Sequence, residues 1–158
     1  MLRKNTILIV DRHPSVRGGL RALFETDPDM EVVGDACDYM TAVEAAQDLE
    51  PNIIILDLMS AGRNGLGIIR ALRHASPSSQ ILILTDYDGT DQIFDIVQEG
   101  VSGYLLKDPL SADIASAIRN ILDGNLIIHR DIARSLTKKH EPMAQKNSET
   151  IPEFVTFP

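Results

Sequence analysis

Four polar residues each stand at the end of an apolar run. Asp11 follows ILIV, Asp57 follows IIIL, Thr85 follows ILIL and Lys107 follows YLL. Two carboxylates, a hydroxyl and an ammonium form a set with a definite chemistry. Carboxylate oxygens are the ligands a hard cation such as Mg2+ prefers. A lysine and a hydroxyl suit the non-bridging oxygens of a phosphoryl group. A carboxylate between them can act as a nucleophile, and the product is an aspartyl phosphate. Each residue alone has a plainer reading: Asp57 as a helix cap or turn residue, Thr85 as a turn residue, Lys107 as a surface charge. The coincidence of all four at such positions gives the set its weight.

The elements that must position them are five apolar runs alternating with five amphipathic stretches. The runs are Asn5 to Val10, Met30 to Ala36, Asn52 to Leu56, Gln80 to Leu84 and Val101 to Leu106. A continuous apolar run bounded by turn residues reads as a strand buried on both faces. The stretches between and after them, Pro14–Thr26, Met40–Leu49, Leu66–His74, Asp91–Glu99 and Ser111–Leu122, carry apolar residues at helical spacing. Pro14 suits a first helical turn, Ser111 an N-cap, and Gly100 and Gly124 the ends of helices. Five βα units predict an α/β fold with a five-stranded parallel sheet flanked by five helices. The order 2-1-3-4-5 puts the topological switch between strands one and three, so the strand ends open into one crevice.

The 158 residues allow one domain of ordinary size and a tail, and 44% hydrophobic residues suffice for one core. We expect a domain over 1–124, a linker with a short helix over 125–139 and a disordered tail over 140–158, where three of the eight prolines fall. No apolar run reaches the ~18 residues of a membrane span, and the run after Lys4 is too short for a secretory signal. A cytoplasmic location with no membrane contact is expected. The formal net charge of −8 is uneven: residues 1–123 hold 10 Lys/Arg against 19 Asp/Glu, and residues 124–158 hold 5 against 4. An acidic body with no basic stripe argues against nucleic-acid binding by these residues. The single cysteine, Cys37, reads as a small buried hydrophobe.

The motifs ILIVDRHPSVRGGLRALFE, EVVGDACD, IIILDLMSAGRNGL, ILILTDYD and EGVSGYLLKD together resemble the receiver domain of bacterial two-component response regulators, most closely the NarL/FixJ branch, from about Thr6 to Gly124. The resemblance implies a flavodoxin-like doubly wound fold. It implies that Asp57 is the phospho-acceptor, Asp11 one member of the acidic Mg2+ pair, and Met59 the residue whose backbone carbonyl joins the metal. It implies that Thr85 is the switch hydroxyl, Lys107 its ion-pairing lysine and Tyr104 the aromatic that moves with Thr85. A sensor histidine kinase as partner, a homodimer and a transcriptional output are implied too; faces of the first, fourth and fifth helices are the usual dimer surfaces of the family, and the sequence does not choose among them. DNA would be reached only through an effector domain, and Glu141 to Pro158 does not read as a helix-turn-helix.

The departures from that pattern gather at the site. Arg12 stands where the family has its second acid, and a guanidinium cannot ligate Mg2+. It would pair with Asp57 or a phosphoryl group, or point to solvent. Asp86 follows Thr85 where the branch keeps a small residue or Met, and it would pair with Arg12. Ser60-Ala61-Gly62 replaces Met-Pro-Gly, and Pro109 stands one position beyond Asp108 rather than directly after the lysine. Weakened or lost Mg2+-dependent phosphorylation is the expectation, and the alternative function is a pseudo-receiver acting as a phosphorylation-independent dimerisation or docking module. An enzyme such as an aspartyl phosphohydrolase would need an acid where Met59 stands, so no enzymatic activity is expected. Flavin binding would need a glycine-rich loop where Arg12-His13-Pro14 stands. His13 reads as a helix cap or loop-packing residue.

Overall fold

A computed structural model of the chain describes residues 3–58, 65–86, 93–107, 113–140 and 154–157. The elements are β1 (Asn5–Val10), α1 (Pro14–Glu25), β2 (Met30–Ala36), α2 (Tyr39–Leu49), β3 (Ile53–Leu56), α3 (Gly65–Ala75), β4 (Gln80–Thr85), α4 (Ile93–Gln98), β5 (Gly103–Leu106), α5 (Ile114–Leu122), β6 (Leu126–His129), α6 (Arg130–His140) and β7 (Phe154–Phe157). They build one sheet in the order β2-β1-β3-β4-β5-β6-β7. Every pairing is parallel except β6 with β7, which is antiparallel.

The strands read as continuous apolar runs because helices cover both faces of the sheet. Successive side chains of a strand point to opposite faces. Leu8 and Val10 of β1 and Ile54 and Leu56 of β3 therefore join Ala42 and Ala46 of α2, Ile69 of α3, Ile96 of α4 and Ile132 of α6 in one core layer. Ile7, Ile9, Ile53 and Ile55 join Leu20 and Phe24 of α1 and Ile118 and Ile121 of α5 in the other. At ~25 cal/mol per Å2 of buried apolar surface, these two layers are the main favourable term of folding.

Helix starts and ends follow local chemistry. Asp38 caps α2, its Oδ1 accepting from the Thr41 N–H at 2.8 Å. Asp113, not the expected Ser111, caps α5 by accepting from the Ser116 N–H at 3.1 Å; Ser111 lies outside the described residues. Gly100 and Gly124, at φ 92° and 98°, end α4 and α5 in the left-handed region that favours glycine.

Three expectations need correction. The sheet has seven strands rather than five: β6 and α6 occupy the expected linker, where Ile127, Ile128 and Ile132 are buried against the main core. The expected disordered tail over 140–158 does not hold at Phe154–Phe157, which pairs with β6 from Leu126↔Phe157 to His129↔Phe154. An edge strand offers unpaired backbone groups, and β7 satisfies those of β6. Cys37 is exposed, because the strand ends at Ala36 and the chain turns outward toward the α2 cap.

Gly103 gives a test of this packing. A Cβ there would fall 2.6 Å from Leu82 Cδ1 and 2.8 Å from Ile121 Cδ1. Both neighbours are fully buried, so neither can yield freely. Gly103→Val is expected to lower the urea-unfolding free energy by about 1–3 kcal/mol.

Candidate functional site

The sheet register brings the strand ends together. Val10 of β1 lies beside Leu56 of β3, so Asp11 and Asp57 leave neighbouring strands side by side, and the Asp57 N–H donates to the Val10 carbonyl at 2.9 Å. Thr85 pairs with Leu106, and the Lys107 N–H donates to the Thr85 carbonyl at 2.7 Å. Asp11, Asp57 and Thr85 are buried, each about 2% exposed or less. Two buried carboxylates on adjacent strands repel each other and lose hydration, so they require a compensating charge.

Lys107 supplies it. Its Nζ donates to Asp11 Oδ2 at 2.5 Å and lies 3.0 Å from Asp57 Oδ2. Burial pushes the Asp11 carboxyl up, but the hydrogen bonds from Lys107 and His13 outweigh it and hold the group below its usual range. Burial pushes the Lys107 ammonium down, and its bonds to Asp11 and Asp57 outweigh that in turn, so its pKa is raised.

His13 joins the site, a place its reading as a cap or packing residue did not give it. It holds the N-cap position of α1 without a side-chain capping bond. Instead its backbone N–H donates to Asp11 Oδ1 at 2.8 Å, and its Nδ1 lies 2.9 Å from the same oxygen and 4.0 Å from Asp57 Oδ2. His13 is thus the N-cap residue by position, as the cap-or-packing reading allowed, and its imidazole turns back to Asp11 instead of capping α1. An acid two residues before a residue with a free backbone N–H is an Asx-turn signal, the only trace of this in the sequence. Arg17 Nη1 donates to the Asp11 carbonyl at 2.7 Å, fixing α1 on the lip of the sheet.

The remaining expected residues are placed as follows. Arg12 and Asp86 are exposed, and Lys107 Nζ is seated on Asp57 at 3.0 Å. Asp86 and Lys107 border a cleft of about 460 Å3 between α1 and α5, with Val16, Leu20, Leu84 and Leu106 on its walls. Tyr104 is buried in the core layer beneath α4 and α6, paired in register with Ile83 and Ile128. Met59, Ser60, Ala61, Gly62, Asp108 and Pro109 lie outside the described residues.

Asp11, His13 and Asp57 bring one ligand atom each within 4.8 Å of one another. Two carboxylates and an imidazole are a donor set that fits a divalent cation in part. Arg12, where the resemblance expects a second acid, brings no oxygen. Burial raises the phenol of Tyr39, at the start of α2, and the charge of Asp57 adds to this, to about 12.

The ion cluster predicts a stability plateau. Asp11 is lowered from 3.8, so its contribution is complete above that pH and is lost as acid titrates the folded carboxyl. Lys107 is raised from 10.5, so its contribution is complete below that pH and is lost as alkali titrates the folded ammonium. Urea unfolding across this range should show both flanks. Lys107→Met should cost about 3 kcal/mol at neutral pH and raise the Asp11 pKa seen by carboxyl NMR. An unchanged stability and an unchanged Asp11 titration would contradict the cluster's role.

Comparison with known proteins agrees with this geometry. Residues 7–119 match the family described as "Response regulator receiver domain". The nitrate/nitrite response regulator protein NarP of Escherichia coli (strain K12) is 37% identical over 84% of this chain and 62% of its own length. The transcriptional regulatory protein LiaR of Bacillus subtilis (strain 168) is 33% identical over 80% of this chain and 60% of its own. The chain thus spans about three fifths of these two relatives. Among solved structures, a two-component response regulator of the LuxR family from Aurantimonas sp. SI85-9A1 superposes with a TM-score of 0.77 at 32% identity, covering 87% of this chain and 98% of that one. The flavodoxin-like α/β fold matches the sequence reading. No helix among the described residues is long and apolar enough to cross a membrane. With its matched segment covering most of the chain, this protein belongs to the response regulator receiver domain family, on the NarL/LuxR-type branch.

Proposed function

We propose that the chain is a phosphorylation-controlled receiver in which Asp57 accepts a phosphoryl group from a sensor histidine kinase. The observation that carries this is the Lys107 ammonium bridging Asp11 and Asp57 at the crevice of the sheet. An Asp57 oxygen attacks phosphorus, the new bond is P–O, and the donor's P–N bond breaks with its electrons leaving on the imidazole nitrogen. Lys107 offsets the charge on the transferred group. Thr85, one strand further along the same lip, contributes its hydroxyl to a phosphoryl oxygen, and Tyr104, buried on the neighbouring strand, is the aromatic of the switch.

Asp11 and Asp57 would hold Mg2+, with the Met59 carbonyl as the third protein ligand, and the ion would offset phosphoryl charge. With Arg12 in place of an acid, the cation is held weakly and Lys107 carries more of the compensation. The reading places the chain in the cytoplasm as a homodimer. Its output is control of transcription through an effector domain, with no nucleic acid bound by the receiver itself. A second reading, a docking module that works without phosphate, draws on the same Arg12.

Incubation with acetyl phosphate followed by intact mass tests the proposal. The expected result is an added phosphoryl mass that Asp57→Asn abolishes and that saturates only at Mg2+ levels well above those an acid at position 12 would need. Arg12→Asp should then raise the labelling rate by about 10-fold, the scale of one lost metal-site partner. No label on the parent chain, with label gained by Arg12→Asp, would favour the docking reading instead.

A further inference from the structure

Tyr39 presents the one buried side-chain polar atom without a hydrogen-bond partner among the described residues: its hydroxyl. A buried hydroxyl left unsatisfied is costly, and native structures seldom keep one without a use. The placement is specific. Tyr39 opens α2, fixed there by the Asp38 cap, three residues beyond Ala36 at the end of β2. Ala36 pairs with Val10, and its carbonyl accepts from the Asp11 N–H at 3.0 Å, so α2 starts beside the site. The ring packs on the core layer that contains Val10 and Leu56, the residues just before Asp11 and Asp57, and borders α3 at Gly67, Ile68 and Ala71.

The phenol is protonated at any physiological pH, so the hydroxyl always has a proton to give. It lies in the field of the Asp57 carboxylate without being bonded to it. Lys107 already occupies Asp57 Oδ2. A group attached to Asp57 would bring new acceptor oxygens into the space around that carboxylate. A phosphoryl group is such a group, with three strong acceptors.

We propose that Tyr39 is a positioning residue whose hydroxyl is held unsatisfied in the unmodified chain and donates to a phosphoryl oxygen on Asp57, directly or through one water, coupling α2 to the modification. This rests on the reading of Asp57 as phospho-acceptor and adds a donor from an element that reading does not use. The unmodified state then carries the unsatisfied group and the modified state relieves it, so Tyr39 biases the equilibrium toward the modified form.

Beryllofluoride, a phosphoryl stand-in that binds carboxylates, tests this on the full chain in the presence of Mg2+. Tyr39→Phe should weaken beryllofluoride binding roughly three- to ten-fold, the worth of one hydrogen bond. The same variant, unliganded, should unfold at a temperature equal to or above that of the parent, because it removes an orphaned polar atom. The 13Cζ resonance of Tyr39 in the parent should move on beryllofluoride addition, as expected when a phenol gains an acceptor. Equal binding by Tyr39→Phe with an unmoved 13Cζ resonance overturns the proposal while leaving Asp57 as phospho-acceptor. A parent chain that binds no beryllofluoride overturns both together. Reduced stability of unliganded Tyr39→Phe, with binding unchanged, assigns Tyr39 to packing alone and overturns it as well.

Discussion

The structure depends on one cation between two buried carboxylates. Asp11 and Asp57 leave adjacent strands in register and face the same crevice. At an effective dielectric near 20, two like charges about 4 Å apart repel by roughly 4 kcal/mol, before any cost of leaving water. Lys107 reverses that sign, and it comes from a strand two places beyond β3. The order β1-β3-β4-β5 is therefore more than a folding outcome. It is what lets a residue 96 positions from Asp11 close the ion cluster. The two apolar layers hold the strands, the strands hold the register, and the register holds the charges.

This arrangement suits a group that must be reactive and still tolerated. A carboxylate stripped of water is a better nucleophile than one in solvent, but it is stable only while its charge is balanced. Lys107 balances it in the resting chain, and on the proposed reading it remains to balance the product. His13 and Arg17 tie Asp11 and its backbone to the start of α1, so the carboxylate beside the acceptor is held by both strand and helix. Arg12 lies exposed at the same corner. The tethered cation on both carboxylates is the lysine the resemblance implied, Lys107.

Much of this was legible in the chain. The unbroken runs ILIV, IIIL and ILIL demand burial on both faces, and a polar residue ending each run must sit at the lip. From this the sheet order and the convergence of Asp11, Asp57, Thr85 and Lys107 followed. The seventh-strand edge did not follow. β6 is four residues long, and β7 pairs with it antiparallel across a sequence gap, so both exist through tertiary pairing rather than local pattern. His13 read only as a cap or packing residue, and Tyr39 did not stand out, for a related reason. The part of His13 lies in where its side chain turns, back to Asp11, and the part proposed for Tyr39 lies in a buried hydroxyl. A residue next to a helix start carries no periodic signal for that. Cys37 was misjudged because strand burial was extended one residue past the true strand end.

On the proposed reading, Lys107 links the Asp57 carboxylate to the group placed on it. Nitrogen-15 NMR of the Lys107 Nζ, recorded before and after labelling Asp57 with acetyl phosphate, tests it most directly. The account predicts a slowly exchanging ammonium signal in the resting chain, protected by Asp11 and Asp57, that shifts on labelling and stays protonated and protected. A signal that is already fast-exchanging at rest, or one that stays in place when Asp57 carries the phosphoryl group, would contradict it.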